Sequence, residues 1–237
     1  MRAIILAGGP DVDERQLRET VRADDLVVVA DGGLAHAVSL GLRPGAVLGD
    51  FDSATAGDVA AAERLGWSLM RVPREKDETD TELAVSWALS RGATELLLFG
   101  ATGGRLDHTL ANAMLLASLA TAGIPATMVD CRHEVRAMAG GSLELTAAAG
   151  AYLSLIPLSR EVTGVTVSGV KYPLTNATLR FGKSLSVSNE FTGRPVRISA
   201  EAGLMLIITA REIHSRPNAK GSPSDNRLDT ASRIRRR

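Results

Sequence analysis

The sequence predicts an α/β N-terminal domain with a mostly parallel sheet, followed by a C-terminal all-β sandwich. Two observations carry this. Up to about residue 130, short apolar runs alternate with stretches of helical period, the pattern of a parallel sheet covered by helices on both faces. Beyond it come only short segments of β character between Gly, Pro, Asn and Ser, the spacing of a small sandwich or barrel. The expected division is therefore 1–130, 131–213, and a disordered tail at 214–237, which is rich in Pro, Ser, Asn and Arg and lacks periodicity.

In order, strands are expected at Ala3–Ala7, Leu26–Ala30, Ala46–Gly49, Trp67–Val72, Glu95–Phe99 and Ala126–Val129. Between them fall helices at Asp13–Arg22, from Gly33 to before Gly41, at Thr55–Leu65, Thr79–Arg91 and Leu106–Ala122. Thr79 and Glu82 have capping-box spacing, and Leu83 and Trp87 lie four apart on one helix face. In the second half, strands are expected at Glu134–Met138, Leu143–Thr146, Tyr152–Ile156, Val162–Val167, Leu185–Val187, Val196–Ser199 and Leu204–Thr209.

Composition excludes several function classes. Hydrophobic residues are 45% of 237, enough for a real core, while aromatics are only 3%, too few for a base-stacking platform. Lys+Arg and Asp+Glu are both 27. From His214 onward stand seven basic and two acidic residues, so the remainder carries 20 against 25 and is acidic. No nucleic-acid partner is expected of such a body. A single cysteine, Cys131, read as a small buried residue, allows no intramolecular disulfide and fits a reducing cytoplasm. No apolar run approaches the ~20 residues of a membrane span, so no membrane association is expected.

The chemistry is expected at the carboxyl ends of the parallel strands, where open sheets bind ligands. Asp31 follows one strand, and Asp50 and Asp52 follow the next. In extended backbone, the alternate residues Asp50 and Asp52 would share a face. Two carboxylates so close favour a hard divalent cation, with Mg²⁺ beside nucleotide phosphates the natural choice. Asp80 in the first turn of a capped helix joins them as a third candidate ligand, with Lys76 and Asp77 just before it. A turn-and-cap role competes for each acid taken singly; convergence from four strand ends argues for the metal. Thr102-Gly103-Gly104-Arg105, opening a helix, suits phosphate through backbone N–H groups and the Arg105 guanidinium. His108 is expected to be an ordinary helix residue.

Two near-matches are set aside. Ala177–Ser184 approximates a P-loop, but a strand rather than a helix is expected after it, at Leu185–Val187. Asp50-x-Asp52 resembles the aspartyl-phosphate phosphatases, but Ala54 stands where those carry Thr or Val.

Taken together, the motifs resemble those of the thiamine pyrophosphokinase family. They are Ala30-Asp-Gly-Gly33, Gly49-Asp-Phe-Asp-Ser53, Lys76-Asp-Glu-Thr-Asp80, Gly100-Ala-Thr-Gly-Gly-Arg-Leu-Asp-His108, and later Gly169-Val-Lys-Tyr-Pro-Leu174 with Ser188-Asn-Glu-Phe191. They run in order over roughly residues 4–210. The resemblance implies transfer of the pyrophosphoryl group of ATP to the thiamine hydroxyl, releasing AMP, by a homodimer with active sites at its interface. It implies Mg²⁺ on Asp50, Asp52 and Asp80, and ATP on Asp31, Gly32, Lys76, Thr102, Gly103, Gly104 and Arg105. Asp107 or a metal-bound carboxylate would be the base. Tyr172, which stands where some members carry Trp, would hold the vitamin together with Ser188 and Asn189. A pterin pyrophosphokinase of related fold and a nucleotide-sensing module without catalysis are the alternatives.

Overall fold

The computed structural model describes residues 1–211. The tail expected at 214–237 lies outside the described residues. The chain forms β1 (Arg2–Leu6), α1 (Glu14–Thr20), β2 (Leu26–Ala30), α2 (Leu34–Leu40), β3 (Ala46–Gly49), α3 (Ala56–Arg64), β4 (Leu69–Arg71), α4 (Asp80–Ser90), β5 (Glu95–Phe99), α5 (Leu106–Thr121) and β6 (Ala126–Val129). Then come β7 (His133–Leu145), β8 (Tyr152–Pro157), β9 (Glu161–Ser168), β10 (Leu174–Arg180), β11 (Asn189–Glu190) and β12 (Val196–Ala210). Three helices start where a side chain replaces a missing backbone partner: Asp13, Thr55 and Thr79 each accept from the N–H three residues on.

Strands pair in the order β10-β9-β12-β7-β6-β5-β1-β2-β3-β4, with β8 also on β12 and β11 on β8. From β6 to β4 all pairs are parallel. The sheet grows outward from β1 through β2 and β3 to β4, then the chain crosses back to place β5 on the other side of β1. That reversal leaves a crevice between β1 and β5 at the strands' carboxyl ends. One face of the parallel part packs Ile5, Val28 and Leu98 against Ala84, Ala88 and Leu116 of α4 and α5. The other packs Ile4, Val29 and Phe99 against Leu17, Leu34 and Ala62 of α1 to α3. Being apolar on both faces is what makes these strands read as continuous hydrophobic runs.

The antiparallel half has its own core, with Leu153, Val165, Leu179, Ile198 and Ile207 among its buried members. The boundary expected near 130 falls between β6 and β7, which pair antiparallel, so hydrogen bonding is continuous across it. Val135 and Leu206, from β7 and β12, also pack into the core beneath α4 and α5.

Four sequence expectations need correction. The strands expected at Glu134–Met138 and Leu143–Thr146 are one strand, β7, because β12 pairs along its whole length and absorbs Gly140 and Gly141 opposite a bulge between Ala200 and Leu204. Val196–Ser199 and Leu204–Thr209 are likewise one strand, β12. Leu185–Val187 forms no strand; Leu185 and Val187 are exposed in turns, and β11 starts only at Asn189. The polar stretch Leu174–Arg180, passed over in the sequence, is β10, paired with β9. β10 runs through Ala177 to Arg180, the first half of the P-loop-like segment, and turns rather than a helix follow it, so neither half has P-loop geometry.

Candidate active site

Four of the parallel strands, β1, β2, β3 and β5, deliver loop residues to one cleft of about 440 Å³. After β1 come Gly8, Gly9 and Pro10; after β2, Asp31 and Gly32; after β3, Asp52 and Ser53. The N-terminus of α4 adds Thr79, Asp80 and Thr81, and the loop after β5 adds Gly100 to Arg105. His108 and Asn112 of α5 close the wall.

The acidic group forms on an irregular backbone. Phe51 has φ +62°, so the chain between Asp50 and Asp52 is not extended as the alternation suggested. It turns instead, and Asp52 N–H donates to Asp50 Oδ1 at 3.1 Å. Asp31 sits in a 3-10 turn with φ +30°, another conformation uncommon for a residue with a Cβ. The result is that Asp31, Asp50 and Asp52 each bring one carboxylate oxygen within 4.8 Å of the others. Gly49 permits this approach: a Cβ there would lie 2.7 Å from Asp31 Cβ and 2.9 Å from its Oδ1.

Asp31 is the buried member, 6% exposed. Ser53 Oγ donates to its Oδ2, while its Oδ1 is buried with no hydrogen-bond partner among the described residues. Burial drives its pKa up; Ser53 opposes this, and the charges of Asp80 and Asp50 add to it. A buried, unpaired carboxylate oxygen beside two further carboxylates is a poor arrangement for the protein alone and a good one for a hard cation. The donor set, all oxygen and negatively charged, fits Mg²⁺.

Asp80 stands apart from this trio. Its Oδ1 is 2.9 Å from Lys76 Nζ, an i,i+4 pair, with both side chains largely buried. Arg74 Nη2 lies 3.1 Å from Asp52. The segment before α4 therefore sets two cations against the acids. Asp77, beside them in sequence, is exposed.

In the loop after β5, Gly103 and Gly104 have φ +80° and +61°, conformations that a Cβ would strain. Their N–H groups and the N-terminus of α5, 16 residues long, form an anion-favouring corner. Arg105 is held there by Asp107, with Nη2 2.6 Å from Oδ2 and Nε 3.2 Å from Oδ1. The hydrogen bond from Arg105 is the main cause that lowers the Asp107 pKa.

Tyr172, Ser188 and Asn189 lie in the antiparallel half and none lines the cleft. Tyr172 is 59% exposed, with Lys171 Nζ 5.4 Å from its ring centroid. Lys171 is itself paired with Glu190 at 2.9 Å. Asn189 is buried and bonded to its own loop: its Oδ1 accepts from Tyr172 N–H at 3.0 Å and Glu190 N–H at 2.9 Å, and its Nδ2 donates to Tyr172 O at 2.7 Å. It shapes the Tyr172 loop. Ser188 is exposed at φ +61°.

Sequence reasoning passed over Gly8, Gly9 and Asn112 as site residues. The Gly8-Gly9-Pro10 turn at the end of the first apolar run was a usable signal. Asn112, six residues into a helix, offered none. Cys131, expected to be buried, is exposed, because it sits in the turn between β6 and β7.

Residues 17–128 match the thiamin pyrophosphokinase catalytic domain, and residues 142–205 match the thiamin pyrophosphokinase vitamin B1 binding domain. The thiamine pyrophosphokinase of Bacillus subtilis is 31% identical over 209 residues, covering 88% of this chain and 98% of that protein. Its crystal structure superposes with a TM-score of 0.83 over 90% of this chain and 100% of that one. Thiamin pyrophosphokinase from Geobacillus thermodenitrificans, 34% identical, gives 0.80 over 90% and 99%. The yeast enzyme, at 14% identity and a TM-score of 0.71, shares the fold.

Proposed function

The chain belongs to the thiamin pyrophosphokinase family, and from that premise we propose how its own residues carry out the reaction, ATP plus thiamine giving AMP plus thiamine diphosphate. The observation that carries the reading is the cluster of Asp31, Asp50 and Asp52, with its orphaned buried oxygen, of which Asp31 and Asp52 line the same cleft as the glycine loop.

ATP lies in the cleft with its β- and γ-phosphates against the amides of Gly103 and Gly104 and the Arg105 guanidinium. Asp31, Asp50 and Asp52 would hold Mg²⁺, which when bound neutralises phosphate charge. Asp80, close enough to raise the Asp31 pKa, pairs with the largely buried Lys76, whose ammonium adds positive charge behind the cleft wall. The thiamine hydroxyl oxygen attacks the β-phosphorus and gives up its proton to solvent, the bond from that phosphorus to the bridging oxygen of AMP breaks, and AMP leaves. Such transfers proceed through loose transition states in which positioning and electrostatics dominate. A strong base is not needed, so Asp107 serves by fixing Arg105.

The vitamin is assigned to the face around Tyr172 and Ser188, with residues 1–130 and 131–213 dividing nucleotide and vitamin between them. All residues lining the cleft come from the stretch ending at Asn112, so the vitamin face must be brought to it. A homodimer does this. Leu106, Leu110 and Met114, four apart on α5 at the cleft's edge, are 72%, 54% and 47% exposed, an apolar stripe suited to cover by a second copy. Among the described residues no helix is long and apolar enough to cross a membrane, and we place the reaction in the cytoplasm.

Incubating the protein with ATP, Mg²⁺ and thiamine should yield AMP and thiamine diphosphate in equal amounts, with none when the cation is chelated. Turnover of a pterin alcohol in place of thiamine would move the reading to the related pyrophosphokinase. Nucleotide binding without AMP formation would make the chain a sensor.

A further inference from the structure

Asp130 lies between the two stretches matched to the family, outside every motif quoted above, and it is 5% exposed. Its Oδ1 accepts from Arg132 N–H at 2.7 Å and His133 N–H at 2.6 Å, closing the turn between β6 and β7. His133 Nδ1 lies 3.1 Å from the same oxygen. Its other oxygen, Oδ2, accepts from Thr102 Oγ1 at 3.0 Å, across 28 residues of sequence. One buried carboxylate thus ties the first turn of the β half to the glycine loop of the cleft.

The loop has two further anchors. Gly9 N–H donates to Gly100 O at 2.7 Å, and Asn112 Nδ2 donates to Ala101 O at 2.8 Å. Successive residues are therefore fixed from three sides: Gly100 by the exit of β1, Ala101 by α5, Thr102 by Asp130. Gly103 and Gly104 follow directly at positive φ, with one long contact, Thr109 Oγ1 donating to Gly103 O at 3.5 Å, beyond the preceding anchors. The polarity of the Thr102 bond matters too. An ionised carboxylate can only accept, so the single proton of the Thr102 hydroxyl is committed to Asp130. Burial alone would raise the pKa of Asp130; the hydrogen bonds from Arg132, His133 and Thr102 outweigh it and leave a net lowering, so the group stays charged.

We propose that Asp130 is a positioning residue for pyrophosphoryl transfer: through Thr102 it aims the amides of Gly103 and Gly104 at the β- and γ-phosphates, and the Thr102 hydroxyl is a brace and not itself a phosphate donor. This rests on the nucleotide reading of the cleft. It assigns the β6–β7 turn a part in ATP use, and it makes Thr102 and Asp130 act as one unit.

The test compares Asp130→Asn, Thr102→Val, Thr102→Ser and the double variant Asp130→Asn/Thr102→Val. Readouts are the calorimetric Kd for ATP with Mg²⁺ and steady-state kcat and KM for each substrate. A small misplacement of positioning groups costs on the order of 10- to 100-fold. Asp130→Asn should lower kcat/KM for ATP by about that factor, with the thiamine KM within about twofold of wild type. Thr102→Val should match it, Thr102→Ser should recover to within about threefold, and the double variant should be no worse than either single one. Unchanged ATP affinity and kcat/KM in Asp130→Asn overturns the proposal, as does damage by Thr102→Val where Asp130→Asn is neutral, or additive losses in the double variant. Should Asp130→Asn fail to fold, the Val and Ser variants at Thr102 still decide, because a brace tolerates Ser and a loss equal to that of Val refutes it. Wild-type turnover with thiamine tests the functional reading separately, since calorimetry on ATP reports on the brace whether or not thiamine is the acceptor.

Discussion

The cleft at the parallel strand ends and the Tyr172 face on the antiparallel half are finished to different degrees. In the cleft, Asp31 keeps a buried oxygen without a partner, Asp31 itself and Phe51 between the other two acids hold positive φ, and three carboxylates crowd within 4.8 Å. Around Tyr172 the polar groups are satisfied: Asn189 spends its amide on the loop, and Lys171 is paired with Glu190. What that face leaves open is apolar and aromatic surface. The difference teaches that the first region lacks a charge and the second lacks a surface. Strain and unpaired polarity of a few kcal/mol persist only where a ligand or function repays them.

The largest expected effect tests the missing charge. Asp50→Asn and Asp52→Asn should each lower kcat by about 10³-fold or more, the scale of losing a main electrostatic element of a transfer site. Circular dichroism should show an unchanged fold. Near-normal turnover in either variant would remove that residue from the cation site.

Next in size is Arg105→Ala. Loss of a charge-assisted, fork-shaped contact to phosphate should lower kcat/KM for ATP by about 10- to 100-fold while sparing the thiamine KM. Asp107→Asn should cost much less, because it removes only the group that steadies Arg105. A loss in Asp107→Asn as large as in Arg105→Ala would restore Asp107 as a base.

Tyr172→Ala should mirror this on the other face. Removing an aromatic surface that meets the cationic thiazolium should raise the thiamine KM about 5- to 30-fold, with the ATP KM little changed. Equal effects on both substrates would dissolve the contrast between the two regions.

The smallest effect is on stability. The Asp31 pKa is raised in the fold, so its folding advantage exists below the unfolded pKa and is lost as pH rises through the folded value. Metal-free protein at pH 7 therefore carries a cost, and Asp31→Asn should melt higher than wild type there, the gap closing toward pH 4. Millimolar Mg²⁺ should reverse the order by stabilising the wild type alone. A variant that melts lower at pH 7 without metal would show that Asp31 is not the strained member.

Much of this was legible in the sequence because the parallel strands are buried on both faces and their ends carry the chemistry. Leu26–Ala30 followed by Asp31, or Glu95–Phe99 followed by Gly100, announces both a strand and a loop. The acids were found as a group; the structure draws Asp31 within 4.8 Å of Asp50 and Asp52, through a 3-10 turn that the alternation of residues did not announce, while Asp80 on the same cleft pairs with Lys76. In the β half, local pattern misled. Exposed Leu185 and Val187 alternate like a strand, whereas polar Leu174–Arg180 forms one because β9 lies beside it. Asp130 was invisible, its partner Thr102 being distant in the chain. Tyr172, Ser188 and Asn189 were reached only through the family resemblance; nothing in their spacing marks a site.

The claim that the two regions complete one another across a pair of chains is tested most directly by mixing Arg105→Ala with Tyr172→Ala protein under conditions of subunit exchange. In a two-fold dimer with shared sites, each mixed dimer contains one site with both halves intact. With half the dimers mixed, activity at subsaturating substrate should recover to about a quarter of wild type. Activity that stays at the average of the two variants, with exchange confirmed by mass, would mean that each chain builds its site alone.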